Sequence, residues 1–195
     1  MTANYREKLR SSIKAERSNL SRENSRALSN QITKKLWRSG IINNVTNLGI
    51  YLAIGGEVNC SNIITEANLR KISIFVPVLW SQKLMFAPLN KDTKFVLNRY
   101  GISEPSLPNC KKKQAKSLDA VIVPTLGFDK HTNRIGMGGG YYDRSFSFRK
   151  RRKIWKKPLL IGLAYSFQQL KHIPIEDWDV PLDIVVTEQE ILENC

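Results

Sequence analysis

Strand-length runs of branched apolar residues constrain the fold of this chain more than any other feature. The clearest is LDAVIVPT at Leu118–Thr125, where Val and Ile follow one another without polar alternation. Strands with this pattern are buried on both faces, as in parallel sheets covered by helices. Similar runs are Asn47–Ala53, Ile72–Leu79, Leu84–Leu89, Leu159–Tyr165 and Ile184–Thr187. The sequence therefore predicts an α/β fold, with three α/β/α layers and a mostly parallel central sheet.

Two amphipathic helices are predicted ahead of the strands. In residues 4–18 apolar side chains recur every four positions, as on one face of a helix. A second helix begins after Ser21, and Gly40 ends it. We expect both helices to pack on the sheet. The expected organisation is one domain over residues 1–195, with the N-terminal helices in 1–39 and the α/β core in 45–190.

The charge balance is strongly basic. The chain has 31 Lys and Arg residues against 17 Asp and Glu, a net charge of +14 at pH 7. Such a charge attracts polyanions, including nucleic acid and phosphorylated small molecules. An A+T-rich genome also encodes chains rich in Lys, Asn and Ile, so the charge alone identifies no partner.

The cysteines and the hydropathy pattern predict the cellular compartment. Cys60, Cys110 and Cys195 are widely spaced and form no Cys-x-x-Cys motif, which argues against a disulfide framework or a zinc site. No apolar stretch approaches the roughly 20 residues of a membrane span. We therefore expect a cytoplasmic, monomeric protein with reduced thiols and no membrane partner.

The glycine-rich segment Gly127–Arg144, GFDKHTNRIGMGGGYYDR, is the strongest functional signal. It lies between a predicted strand and a helix-compatible stretch, Tyr141–Arg149. Glycines let backbone N–H groups converge on one centre, and a helix start adds partial positive charge, so this order favours phosphate binding. Arg134 adds a forked donor suited to phosphate oxygens. The spacing matches neither a Walker A loop nor G-x-G-x-x-G, and the alternative is a loop that merely turns.

Asp143 falls in the first turn of that predicted helix. It could cap the helix, because the helix dipole favours a carboxylate there. It could also bind Mg²⁺ beside phosphates, since Mg²⁺ takes one or two carboxylates plus phosphate oxygens. A second carboxylate would come from EDWDVPLD, where spacing alone leaves Asp177, Asp179 and Asp183 open.

A set of short motifs runs in order along nearly the whole chain. The most specific is RIGMGGGYYDR at Arg134–Arg144. The supporting motifs are REKLR (Arg6–Arg10), GEVN (Gly56–Asn59), MFAPL (Met85–Leu89), YGISEP (Tyr100–Pro105), PTLGFDK (Pro124–Lys130), GLAYSFQ (Gly162–Gln168) and DVPLD (Asp179–Asp183). With these motifs the chain resembles the 5-formyltetrahydrofolate cyclo-ligase family, also called 5,10-methenyltetrahydrofolate synthetases. The resemblance implies an enzyme that uses ATP and Mg²⁺ to convert 5-formyltetrahydrofolate, with or without a polyglutamate tail, to 5,10-methenyltetrahydrofolate.

The resemblance also implies roles for individual residues. Arg134 and Asp143 would act in catalysis, and Asp143 with Asp183 would bind Mg²⁺, which selects Asp183 among the three candidates. The folate would contact Leu52, Glu57, Met137, Gly138, Gly139, Gly140 and Tyr141. ATP would contact Arg6, Arg10, Arg134, Ile135, Gly136, Met137, Gly138, Gly139, Gly140, Tyr141 and Tyr142.

One departure and two alternatives accompany this reading. Some family members carry a basic residue where this chain has Met137 or Gly139, which leaves phosphate neutralisation to Arg134, the backbone and the metal. The basic run Arg149–Lys157, with Trp155 inside it, is a solvated helix end, an attractor for the folate glutamate tail, or a nucleic-acid surface. A nucleic-acid-binding protein, or a folate- or nucleotide-binding protein without catalysis, is thus the alternative to the enzyme.

Overall fold

Two helices begin the chain, as predicted. The structure, a computed structural model, describes residues 2–107, 111–152 and 157–194. Helix α1 spans Thr2–Ser18 and helix α2 spans Arg22–Arg38. The Ser21 side chain accepts a hydrogen bond from the Asn24 amide at 3.1 Å, which satisfies one of the amides that have no partner within the helix. No helix among the described residues is long and apolar enough to cross a membrane.

The predicted sheet is confirmed. The strands are β1 Asn47–Gly49, β2 Ser73–Trp80, β3 Lys83–Pro88, β4 Phe95–Leu97, β5 Ser103–Pro105, β6 Lys113–Gln114, β7 Ala120–Pro124, β8 Gly127–Phe128, β9 Arg134–Ile135, β10 Leu159–Leu163, β11 Ile184–Val186 and β12 Ile191–Glu193. Within the described residues, eight of them form one sheet in the order β12-β11-β10-β7-β1-β2-β3-β6. From β11 to β2 neighbouring strands are parallel, and β12, β3 and β6 add antiparallel edges.

Apolar clusters cover both faces of this sheet, which confirms the three-layer arrangement. On one face, Leu36 of α2 and Ile63 of α3 (Ser61–Leu69) belong to one cluster with Ile122 of β7. On the other face, Val121 of β7 belongs to a cluster with Phe146 of α4 (Tyr141–Phe146). Successive β7 residues thus enter opposite clusters, as the two-residue period of a strand requires.

Some elements differ from the sequence prediction. Strand β1 ends at Gly49 rather than Ala53, and the chain then turns through Gly55 and Gly56, both at positive φ. The stretch expected to be a helix up to Arg149 is the short helix α4 followed by a 3₁₀ turn, Ser147–Arg151. The hairpins β4–β5 and β8–β9 beside the main sheet are not predicted by the sequence patterns. The single-domain limits stay a prediction.

Helix α1 packs against the hairpin β8–β9. Ile13 of α1 is buried in a cluster with Leu126 and Ile135. Gly127 permits the close approach, because a Cβ at this position would lie 2.7 Å from Ile13 Cδ1 and 2.9 Å from Ile135 Cγ2. The first helix is therefore held just beyond the carboxyl end of β7, where the glycine-rich segment begins.

Candidate active site

A cavity of about 710 Å³ opens beyond the carboxyl end of the central parallel strands. Ligands of open α/β sheets usually bind at this edge. Its walls come from α1, the loop after β1, strand β2, hairpin β4–β5, the glycine-rich segment, α4 and residues 176–179. The predicted site residues that line it are Arg6, Arg10, Leu52, Glu57, Arg134, Gly136, Met137, Gly138, Gly139, Gly140, Tyr141, Tyr142 and Asp143. The fold thus brings most of the predicted site together from distant parts of the chain.

Arg134 and Asp143 face each other across the start of α4. Arg134 Nη2 donates to Asp143 Oδ1 at 2.8 Å, and both side chains are mostly buried. The Val180 amide also donates to Asp143 Oδ1, at 3.2 Å. The guanidinium lies over the Tyr142 ring, 5.7 Å from its centroid. Packing and pairing fix the orientation of both charged groups, which places a cation and a carboxylate side by side in the cavity wall.

A second ion pair joins α1 to the segment ahead of β11. Arg6 donates to Asp179 through two nitrogens, at 2.7 and 3.2 Å. The hydrogen bond with Asp179 raises the pKa of Arg6, against the opposing effect of burial. The Glu176 amide donates to Asp179 Oδ2 at 2.9 Å. Arg6 and Asp179 both line the cavity, so this pair extends its charged end beyond Arg134 and Asp143.

The glycine loop is held by arginines on either side. Arg10 Nε donates to the Gly136 carbonyl at 3.0 Å, and Arg144 Nη2 donates to the Gly139 carbonyl at 2.7 Å. Gly140 begins α4 in the left-handed conformation, with φ of +64°, which a residue with a side chain rarely adopts. Because two loop carbonyls already bond to cations, their negative ends are compensated, which favours an anion beside the loop.

Two predicted site residues, Ile135 and Asp183, lie outside the cavity wall. Ile135 is fully buried in the cluster with Ile13, so its side chain does not reach a ligand in the cavity. Both carboxylate oxygens of Asp183 accept hydrogen bonds from Arg149 Nη2, each at 2.7 Å. Its Oδ2 also accepts from the Leu160 amide at 2.7 Å. A carboxylate with both oxygens so engaged fits a structural role.

Asp183 therefore does not accompany Asp143 in the cavity wall, and its assignment as a metal ligand stays a prediction. Of the three aspartates in EDWDVPLD, the structure places Asp179 in the cavity wall, and Glu176 of the same segment also lines it. The Val180 amide, which follows Asp179, already contacts Asp143. Arg149 is buried against Asp183 instead of forming a solvated helix end, and residues 153–156 of the basic run, including Trp155, lie outside the described residues.

A second part of the cavity wall, called the apolar end, is lined mainly by apolar side chains. Leu52, Pro77, Leu79 and Ile102 contribute to its wall. Glu57 lies among them, and its Oε2 accepts from the Ile54 amide at 3.0 Å. Burial raises the pKa of Glu57, opposed by the Ile54 hydrogen bond and by the nearby Arg17 charge. A desolvated carboxylate in an apolar wall is suited to a flat ligand that offers N–H donors.

Hairpin β4–β5 supplies cavity residues that the sequence analysis did not assign. Glu104 Oε2 accepts from the Leu79 amide at 3.1 Å and from Asn98 Nδ2 at 3.2 Å, which ties the hairpin to β2. Near the hairpin tip, the Tyr100 hydroxyl lies 3.1 Å from that of Tyr141 in the glycine-rich segment. The motif YGISEP contained these residues, but nothing in the sequence showed which strand or loop the segment would meet.

The comparison with known families decides between the alternatives. The model of the 5-formyltetrahydrofolate cyclo-ligase family matches residues 2–188. The chain belongs to this family of ligases. This match confirms the resemblance drawn from the motifs.

Relatives of this cyclo-ligase family member are known from several bacteria. The 5-formyltetrahydrofolate cyclo-ligase of Haemophilus influenzae is 30% identical over 95% of this chain and 100% of its own. The enzyme of the same name from Escherichia coli K12 is 31% identical over 75% of this chain and 80% of its own. The NMR structure of Aquifex aeolicus 5,10-methenyltetrahydrofolate synthetase superimposes with a TM-score of 0.80 at 28% identity, over 96% of this chain and 92% of that one.

The donor set of this cyclo-ligase cavity is compatible with Mg²⁺. No cluster of three or more metal-ligating side chains occurs among residues 2–107, 111–152 and 157–194. Magnesium usually needs only one or two carboxylates when phosphate oxygens and water complete its shell. Asp143 offers Oδ2, which accepts no hydrogen bond from any described residue, whereas Asp179 is held by Arg6 on both oxygens. The geometry thus favours Asp143 as the principal protein ligand and Asp179 as the neighbouring carboxylate.

Proposed function

We propose that this protein converts 5-formyltetrahydrofolate to 5,10-methenyltetrahydrofolate with ATP and Mg²⁺. The observation that carries the proposal is a single cavity that combines two kinds of wall. Arg134, Asp143 and the glycine loop form its charged part, and apolar side chains with Glu57 form its apolar part. Such a cavity suits a substrate pair in which one partner is a triphosphate and the other a flat heterocycle.

The charged end would position the triphosphate. Phosphoryl transfer depends mainly on positioning and charge neutralisation, and requires no protein nucleophile. Arg134 and the loop amides would orient the γ-phosphate toward the formyl oxygen. Mg²⁺ bound to Asp143 would supply neutralisation of the phosphate oxygens. Arg134 pairs with Asp143 Oδ1 at 2.8 Å, which places its guanidinium beside the carboxylate that would hold Mg²⁺.

The apolar end would position the folate. Glu57 would accept hydrogen bonds from N–H groups of the pterin ring. The formyl oxygen attacks the γ-phosphate and releases ADP. N10 then attacks the activated formyl carbon, its proton is lost, and the C–O bond breaks to release phosphate. The partly dry cavity would protect the activated formyl group from water.

Absorbance of the methenyl product tests this function directly. The purified protein is mixed with 5-formyltetrahydrofolate, ATP and Mg²⁺, and parallel reactions omit ATP or the metal. We expect product only in the complete mixture, with one ADP formed per methenyl product. Absence of product with folded protein would overturn the proposal. Tight, salt-dependent nucleic-acid binding together with no turnover would favour the basic-surface alternative.

A further inference from the structure

Trp178 is a cavity residue whose aromatic face has no partner. It lines the cavity, and 66% of its surface is exposed. Over residues 2–107, 111–152 and 157–194, no ring or cation stacks on the indole. By contrast, Tyr100, Tyr141 and Tyr142 of the same cavity each contact another ring or an arginine. A large aromatic surface left open at a binding cavity is suited to a ligand that stacks on it.

Hydrogen bonds fix the backbone turn that carries this indole. The Asp179 amide donates to the Glu176 carbonyl at 2.9 Å, and the Glu176 amide donates back to Asp179 Oδ2 at 2.9 Å. Trp178 therefore sits in a closed turn. Arg6 anchors that turn to α1 through Asp179. The aromatic surface therefore adjoins the Arg6–Asp179 ion pair in the cavity wall.

We infer that Trp178 is the platform on which the base of a purine nucleoside triphosphate stacks. The inference rests on the proposed function, which places the triphosphate beside Arg134 and the glycine loop. Trp178 adjoins Asp179, the carboxylate neighbouring that phosphate site, so a nucleotide with its phosphates there has its base on this side. Stacking tolerates different bases because each has a π face. The site should therefore accept ATP and GTP alike and bind pyrimidine triphosphates more weakly, since their rings cover less of the indole.

Comparing the affinities for ATP and for inorganic tripolyphosphate separates the contribution of the base to binding from that of the phosphates. Affinities are measured by calorimetry with Mg²⁺ for the parent, Trp178→Ala and Trp178→Phe. We expect Trp178→Ala to weaken ATP about tenfold, the effect of losing one base–aromatic stack, and to leave tripolyphosphate unchanged. Trp178→Phe should retain most of the ATP affinity, and the KM for 5-formyltetrahydrofolate should stay at the parental value in both variants.

Ile175→Ala is the matched control. Ile175 is 64% exposed and lies beside the same turn, but it does not line the cavity, so its truncation should leave both affinities unchanged. Equal weakening of ATP and tripolyphosphate by Trp178→Ala would show that the residue acts through the Asp179 turn, and would overturn the inference. Parental ATP affinity in Trp178→Ala would also overturn it.

The outcomes distinguish this inference from the proposed function. If the parent converts 5-formyltetrahydrofolate and Trp178→Ala keeps the parental ATP affinity, only the stacking role of Trp178 is rejected. If Trp178→Ala loses affinity for ATP but not for tripolyphosphate, and the parent forms no methenyl product, only the cyclo-ligase reaction is rejected. A parent that binds neither ATP nor tripolyphosphate rejects both.

Discussion

Arg6 and Asp179 lie 173 positions apart in the chain and form a two-pronged ion pair, with N–O distances of 2.7 and 3.2 Å. The side chains are only 11% and 17% exposed. The pair joins the first helix to the turn that carries Trp178. It therefore links the N-terminal helix to the charged end of the cavity.

Loss of this pair should destabilise the protein. In Arg6→Ala, Asp179 loses two charged hydrogen bonds in a mostly buried place, so we expect the free energy of unfolding to fall by about 2 kcal/mol. Urea denaturation followed by circular dichroism measures this. The control is Glu66→Ala, which removes the exposed pair with Arg70, leaves Arg70 over the Trp37 ring and should cost under about 0.5 kcal/mol. Similar losses in the two variants would contradict a structural role for the Arg6 pair.

The carboxylates Asp143 and Asp183 should respond differently to conversion to the amide. Asp143→Asn removes the oxygen that would bind Mg²⁺, so we expect kcat per folded molecule to fall about a thousandfold. It also weakens the mostly buried pair with Arg134, so the unfolding free energy should fall by about 2 kcal/mol, as in Asp183→Asn. Raising the Mg²⁺ concentration should recover part of the lost activity. Methenyl absorbance and thermal unfolding measure the two quantities.

Asp183→Asn is the paired variant. Asp183 accepts from Arg149 and from the Leu160 amide, so the amide should lower the unfolding free energy by about 2 kcal/mol. Activity per folded molecule should stay near the parental value. A selective loss of Mg²⁺ dependence in Asp183→Asn, with unchanged stability, would support Asp183 as a metal ligand.

A cation at position 137 should strengthen nucleotide binding. Met137 is 55% exposed and lines the cavity beside the glycine loop. We expect Met137→Lys to tighten ATP about fivefold at low salt, the effect of one unit charge in a hydrated setting, and the gain should shrink as salt is added. Ile175→Lys adds the same charge outside the cavity wall, and a gain of equal size in that variant would point to net charge alone.

The raised pKa of Glu57 predicts a pH effect on stability. Because burial raises the pKa of this carboxyl in the folded protein, the native state binds its proton more readily than the unfolded chain. This group therefore makes the unfolding free energy fall as pH rises from the unfolded pKa of about 4.3 through the raised folded value. Glu57→Gln should remove that part of the fall.

Urea titrations of the parent and Glu57→Gln across the acid-to-neutral range measure the difference. The variant should gain stability relative to the parent as pH rises and then reach a plateau. The same variant should raise the KM for 5-formyltetrahydrofolate with little change in the KM for ATP, because Glu57 lies in the apolar end. If the unfolding free energies of the parent and Glu57→Gln differed by the same amount at every pH, the raised pKa of Glu57 would be contradicted.

The sequence was sufficient for the helices, the parallel sheet and the glycine loop because each depends on local pattern. Ser21 caps the N-terminus of α2, as serine commonly does, and the apolar run at β7 is buried on both faces. The short hairpins were missed because strands of two or three residues carry no measurable periodicity. In β4–β5 the apolar residues Phe95, Val96 and Leu97 are exposed, so their burial pattern gave no signal either.

The second carboxylate shows where sequence spacing stops being informative. Asp179 and Asp183 are four positions apart in one extended segment, and either could have faced the cavity. Arg6 from α1 and Arg149 from the turn after α4 decide between them. Both arginines are distant in sequence from these carboxylates, so only the tertiary fold shows which of the two faces the cavity.

The docking of α1 over Gly127 makes the charged end of the cavity depend on segments that are far apart in the chain. Arg6 and Arg10 come from the first helix, and their partners include residues 136 and 179. On the ribosome, α1 emerges before Asp179, so the ion pair cannot form until the 173 positions that separate its two residues have been made. In the finished protein, amide hydrogen exchange in α1 should slow when nucleotide binds, because undocking of that helix then costs the binding energy as well.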